Sequence, residues 1–457
     1  MVARDSSDSS PTILKGDPSV DTASLYRSSP ALSFPANALY ATAQFSLVVV
    51  VLPFHFLLFA LFPSKRWRPS WTLTEAALMP AVKRIMSTMD TCGYKIGARR
   101  TDRAPGRVAR WWMRVRDGVA FEWVEGLSRE LAGGVLVDEQ AKVREQVGMY
   151  VWRREGVDDG EGLVGLWLHG GAYTHNSAHP GASSSSIPRI LFKREPRFSS
   201  ICGPYLFFLL SGPVALATQG LPSPAQLTKA ISTAVEYRLL PDSPFPAALQ
   251  DAAAAYVSLL RRGIRGSQIV VMGDSSGGHL ALALTRWIKE TREERGAEEE
   301  ARSWRLEEPS GLVLFSPWSD PSHSYLGHTA STYVPRKNSS DYVFESPPFR
   351  LHLVTSLLGS RPSSFVLSPY ISPGSRTLAP GALEGFPPCF IHYGTSDRCE
   401  EEGERLVANL RRDGVRVETV VTEDTPHDLM LLAMIWRKSQ VEQVWEGVLQ
   451  FTGSLRR

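Results

Sequence analysis

Cysteine is scarce. Cys92, Cys202, Cys389 and Cys399 lie scattered through 457 residues, and no two form a CxxC pair. That argues against a disulfide framework and against a structural zinc site. An excess of charge is also missing: 50 Lys and Arg face 47 Asp and Glu, for a net +3 at pH 7. Acids and bases are interspersed, and no basic block is interleaved with aromatics, so nothing points to nucleic acid as a partner. Internal repeats are absent too. What the chain does have is apolar material, 43% of its residues. That is enough for a sizeable core and excludes global disorder. The length fits one large domain or two ordinary ones.

One long stretch has no charge at all. LYATAQFSLVVVVLPFHFLLFALF, Leu39 to Phe62, contains no Asp, Glu, Lys or Arg. At about 1.5 Å per helical residue it can cross a hydrocarbon core of roughly 30 Å. Lys65, Arg66, Trp67 and Arg68 follow it, a basic and aromatic flank of the kind found at membrane interfaces. A core helix would carry a polar stripe, which is weak here. A signal peptide would start earlier and end in small residues. The expected organisation is therefore a disordered Ser- and Pro-rich tail over 1–38, a transmembrane anchor over 39–62, a linker or juxtamembrane helix over 63–100, and a globular domain over 101–457.

In that last region, short apolar runs alternate with helical patterns. Strands are expected at Gly162–Gly171, Ala230–Leu240, Gln268–Asp274, Gly311–Trp318, Pro388–Gly394 and Val415–Val421. Helical patterns fill several of the gaps, as in FPAALQDAAAAYVSLLRRG and EEEGERLVANLRRDG. Such alternation predicts an α/β class with a mostly parallel sheet covered on both faces. The charged run Lys289–Glu308 is expected to carry a helix into solvent.

In a sheet of this kind, functional groups gather at the carboxyl ends of the strands. IVVMGDSSGGHLALAL places Gly273-Asp274-Ser275-Ser276-Gly277 between a strand and a helix. This fits G-x-S-x-G, in which a tight turn holds the central serine exposed and strained. Ser275 is the expected nucleophile, and Ser276 is expected to contribute its main-chain N–H rather than its hydroxyl. Upstream, LWLHGGA ends an apolar run in His169-Gly170-Gly171-Ala172. Gly171, Ala172 and Ser276 are the expected oxyanion donors, and His169 is expected to order the loop. Asp397 and His427 each follow a later strand, in the order serine, acid, base. Asp397 could instead cap the helix near Glu400, and His427 could cap its own helix or face solvent. His279 lies on the nucleophile's helix and His392 lies inside a strand, so both are weaker candidates for the base.

These residues resemble the hormone-sensitive-lipase-like carboxylesterases, the GDXG group of the α/β-hydrolase superfamily. The resemblance rests on HGGA, VEYRLLPDSPFPAALQDAAAAY (Val235–Tyr256), GDSSGG, HYGTSD and TPHD, in order from about Gly162 to the C-terminus. It implies the α/β-hydrolase fold, with a cap built from residues before the sheet and around Asp320–Pro380. It further implies ester hydrolysis through an acyl-enzyme by Ser275, His427 and Asp397, with no metal or cofactor. The family's HGGG has Ala172 in its last position here, which narrows the pocket without removing a main-chain donor. Ala182–Gln219 is longer than such enzymes usually show, either as an apolar flap beside the pocket or as an artefact of the gene model. An anchor ahead of this domain looks like the membrane-bound steryl acetate hydrolases and arylacetamide-deacetylase-like enzymes. That likeness implies a lipophilic ester substrate and a single pass through the endoplasmic-reticulum membrane. The basic flank after the anchor favours a cytosolic domain, while these relatives and the sequon Asn338-Ser339-Ser340 favour a lumenal one; the expectation is lumenal. The alternatives are a catalytically silent ligand-binding protein on the same fold, and an acyltransferase or amidase using the same triad.

Overall fold

The computed structural model describes residues 31–93, 119–152, 162–180, 182–185, 187–188, 231–296, 305–324, 340–343 and 347–455. Residues 1–30 of the tail expected over 1–38, most of the 182–219 insertion, and Asn338 of the sequon lie outside these residues, while 36–38 fall in the first helix.

Eight strands form one sheet: β1 (Val119–Glu125), β2 (Gln146–Trp152), β3 (Val164–Leu168), β4 (Ile231–Glu236), β5 (Ile269–Asp274), β6 (Gly311–Phe315), β7 (Cys389–Gly394) and β8 (Val417–Thr422). Their spatial order is β1-β2-β4-β3-β5-β6-β7-β8. From β4 to β8 all pairs are parallel, while β1 and β2 join antiparallel at one edge. Those two edge strands were not among the sequence expectations. The helices are α1 (Ala36–Leu61), α2 (Leu73–Cys92), α3 (Ala247–Arg261), α4 (Ser276–Arg295), α5 (Pro347–Leu358), α6 (Glu400–Arg412) and α7 (Lys438–Ser454).

Period-2 alternation divides each central strand between two cores. Ile269 and Val271 of β5, with Leu312 and Leu314 of β6, pack toward the layer holding α3, α4 and α6. Val270 and Met272, with Val313 and Phe315, pack toward the layer holding α2 and α7. Burial on both faces is why these strands read as continuous apolar runs. The Ala-rich α3 lies almost wholly buried against the sheet. In α6 the first turn is acidic and the last basic, which matches the helix dipole. The charged run is helical as far as Arg295, and residues 297–304 lie outside the described set.

The apolar run forms a 26-residue helix, long and apolar enough to cross a membrane. It begins at Ala36 rather than Leu39. It does not stand apart from the domain. Its start bonds to the end of α2 through Leu32 N–H to the Thr91 carbonyl at 2.8 Å, and its middle through Arg84 to Gln44 at 2.6 Å. Its end is held by Arg66, which donates to the carbonyls of Phe59 and Trp71, and Phe59 is buried in the core that contains Trp71. The segment expected as a linker or juxtamembrane helix holds α2 among its described residues. A Thr72/Glu75 capping box starts that helix, and Gly93, at φ 65°, ends it. Helix α2 is in turn tied to the sheet-bearing domain at both ends, by Glu75–Arg437 at 2.7 Å and Asp90–His175 at 3.0 Å.

Candidate active site

Strand β5 ends at Asp274 and α4 begins at Ser276, so the chain turns at a single residue. Ser275 sits at φ 50°, ψ −119°, a region costing on the order of 1–3 kcal/mol for a residue with a side chain. The surroundings hold it there. Ser275 N–H donates to the Phe315 carbonyl at 2.9 Å, and its own carbonyl accepts from Trp318 and His279. The flanking glycines are required by close approach: a Cβ on Gly277 would lie 2.0 Å from the Leu168 carbonyl oxygen, and one on Gly273 would lie 2.4 Å from Gly277.

The turn points Ser275 at His427. His427 Nε2 lies 2.9 Å from Ser275 Oγ, and Nδ1 lies 2.8 Å from Asp397 Oδ1. A neutral imidazole with Nδ1–H donating to a carboxylate presents a lone pair at Nε2, so Ser275 donates and His427 accepts. Asp397 Oδ1 also accepts from Cys399 N–H at 2.7 Å. The two loops carrying Asp397 and His427 touch at Gly394, where a Cβ would meet the Thr425 carbonyl at 2.1 Å. Burial lowers the proton affinity of His427, but the carboxylates of Asp397, Asp341 and Glu402 outweigh it and raise the pKa to about 9. Burial pushes Asp397 the other way, and the partnership with His427 holds it below the usual carboxylate range.

The loop after β3 faces the turn from the other side. Gly171 takes φ 113°, and a Cβ there would lie 2.6 Å from the His175 carbonyl. Ala172 takes φ 52° and Tyr173 φ 58°. Glycine is favoured at such angles, so an alanine in position 172 costs about 1–2 kcal/mol. Among the described residues, the N–H groups of Gly171 and Ala172 are bonded to no other protein group, and Ser276 N–H is in the open first turn of α4. All three remain available to a ligand oxygen.

Two side chains lock that loop to the turn. Asp274 Oδ1 accepts Gly170 N–H at 2.7 Å, and Ser276 Oγ accepts Tyr173 N–H at 3.2 Å. The hydroxyl of Ser276 thus has a part that motif reading assigned only to its N–H. Burial raises Asp274 to about 6, and it raises the neighbouring Asp428 well above the usual carboxylate range. His169 is buried and stacked on Tyr237 with ring centroids 4.2 Å apart, and its Nδ1–H donates to the Gly170 carbonyl at 2.8 Å. Burial lowers its pKa to about 4, so it stays neutral. The two weaker candidates for the base, His279 and His392, have other partners. His279 bridges the Tyr173 hydroxyl at 2.6 Å and the Ile371 carbonyl at 2.8 Å, and His392 bonds Thr422.

Sequence reasoning missed Asp341. Its carboxylate is fully buried, accepting from Arg398 N–H at 2.7 Å and from His427 N–H at 3.3 Å. Among the described residues, the cluster of potential metal donors is Asp397, Cys399 and His427. In that histidine Nδ1 faces Asp397 and Nε2 faces Ser275, so the same atoms form the hydrogen-bonded relay.

Residues 208–431 match the model of a family described as alpha/beta hydrolase fold. An acetyl-hydrolase of Streptomyces hygroscopicus is 27% identical over 184 residues, covering 40% of this chain and 52% of its own. An esterase of Acinetobacter venetianus is 26% identical over 213 residues, covering 46% and 57% respectively. The chain thus spans about half the length of these curated relatives. Among solved structures, an esterase from the bacterial hormone-sensitive lipase family superposes with a TM-score of 0.51 at 19% identity, over 84% of this chain and 98% of its own.

Proposed function

We propose that this chain, which resembles the hormone-sensitive-lipase-like α/β-hydrolases, is a serine carboxylesterase acting through an acyl-enzyme. The observation that carries the reading is the unbroken relay Ser275–His427–Asp397, with links of 2.9 and 2.8 Å. His427 takes the Ser275 proton as Oγ attacks the ester carbonyl, and the N–H groups of Gly171, Ala172 and Ser276 receive the oxyanion. His427 then protonates the leaving alcohol, and water repeats the sequence on the acyl-enzyme. Asp397 fixes the imidazole tautomer and stabilises the imidazolium.

The substrate is a lipophilic ester with a short acyl group. The short acyl group is suggested by the acetyl-hydrolase name of one relative. The lipophilic part is suggested by α1, which exposes Leu39, Val50, Phe54, Leu57 and Leu61 to its surroundings and which we read as the membrane-contacting element. The test uses the full chain in detergent with p-nitrophenyl acetate. Ser275→Ala should lower kcat by on the order of 10⁶ and abolish labelling by a fluorophosphonate. A Ser275→Ala enzyme with wild-type turnover rejects the reading.

A further inference from the structure

We infer that Asp341, a carboxylate outside the triad, is a positioning residue: it fastens the loops of Asp397 and His427 to each other and sets a second negative charge beside the base. The inference rests on the serine-hydrolase reading above.

Asp341 comes from a short stretch, Ser340–Val343, that belongs to neither catalytic loop. One oxygen makes a local turn bond, accepting Val343 N–H at 3.2 Å, and also accepts His427 N–H at 3.3 Å across 86 residues of sequence. The other accepts Arg398 N–H at 2.7 Å across 57 residues. One recipient is the base itself and the other is the residue after the triad acid. A turn-forming aspartate needs only the first of these bonds. The remaining two tie main chain to main chain at the place where Nδ1 of His427 must meet Asp397. The neighbours of Asp341 are also held in place. Ser340 Oγ accepts from Arg68 at 3.0 Å, and the Tyr342 ring lies 6.2 Å from the His427 imidazole.

A buried carboxylate is costly unless its lone pairs are matched. Here three N–H donors match them, so the charge can persist beside the base. Burial and the Asp397 charge raise Asp341 to about 6, while His427 and the amides pull it back. The ionisable groups acting on His427 are Asp397, Asp341 and Glu402, and His427 in turn acts on Asp274. Lys83 of α2 and the imidazole act on Asp341 itself. Removing the Asp341 charge takes away one of the carboxylates that favour the imidazolium, so His427 loses its proton at lower pH.

The experiment compares Asp341→Asn and Asp341→Glu with the wild-type full chain, by kcat, KM and pH profile on p-nitrophenyl acetate and by thermal unfolding. Asp341→Asn should lower kcat roughly 10²-fold, as expected for a small misplacement of reacting groups, with KM within about twofold. Its acid limb should move to lower pH. Asp341→Glu keeps the charge but overreaches the two amides, so kcat falls while the acid limb stays in place. An Asp341→Asn enzyme that only melts earlier, with an unmoved limb and wild-type kcat, overturns the inference. So does failure of both variants to fold, which assigns Asp341 to folding instead. If Ser275→Ala is inactive and Asp341→Asn behaves as wild type, only this inference falls; an active Ser275→Ala rejects the esterase reading itself.

Discussion

Ser276→Ala separates the motif from the structure. The motif asks only for the N–H of this residue, and alanine keeps it. In the fold, however, the fully buried Ser276 accepts Tyr173 N–H at 3.2 Å. Removing that acceptor leaves a buried amide without a partner, at about 1–3 kcal/mol. The amide belongs to a loop already strained, with Gly171, Ala172 and Tyr173 at φ 113°, 52° and 58°, so the loop has a reason to relax once released. If the whole penalty falls on the assembled oxyanion site, kcat/KM drops roughly 5- to 150-fold at 1.36 kcal/mol per decade. The loss should appear in kcat, because the donors matter most when charge develops on the substrate oxygen. The assay is steady-state hydrolysis of p-nitrophenyl acetate beside a melting curve. A variant with kcat within about twofold of wild type and an unchanged Tm would show that the Ser276 hydroxyl does not hold the loop.

Activity should also rise with pH across a range where an ordinary histidine has finished titrating. The reaction needs neutral His427, and its carboxylate neighbours raise its pKa to about 9, so the acid limb of kcat/KM should lie above pH 6.5 and approach 9. A profile flat from pH 6 upward refutes this. Arg437→Ala should strand the buried carboxylate of Glu75, which it grips at 2.7 Å, and destabilise the protein by about 3 kcal/mol. Denaturant unfolding measures that loss, and an unchanged midpoint would show that α2 is held by other means.

The chemistry of this site was more legible than the parts that support it, for a physical reason. The turn at Ser275 is local: Gly273, Ser275 and Gly277 lie within five residues where the strand meets the helix. Asp397 and His427 are each a few residues past a strand rich in apolar side chains, so strand counting finds them. The alternation of Val119–Glu125 was present in the sequence, but it is a brief polar-apolar pattern at a sheet edge, with no buried run to announce it. Asp341 gave no signal, because its value comes from contacts 57 and 86 residues away. Ser276 Oγ is a similar case: its partner, Tyr173, is 103 residues upstream. Long-range contacts of this kind leave no period in the sequence.

The pairing of α1 with α2 bears on kinetics. Because α2 is pinned to the domain at both ends and α1 runs back along it, the open apolar face of α1 is fixed relative to Ser275. A lipid surface taking up that face would hold the serine at one constant height and orientation. Encounter with a lipid-dissolved ester would then be a search in two dimensions. Turnover would follow the mole fraction of substrate in the surface rather than its bulk concentration. Adding inert detergent at constant total ester would slow the enzyme by surface dilution, while hydrolysis of a water-soluble acetate would be unaffected.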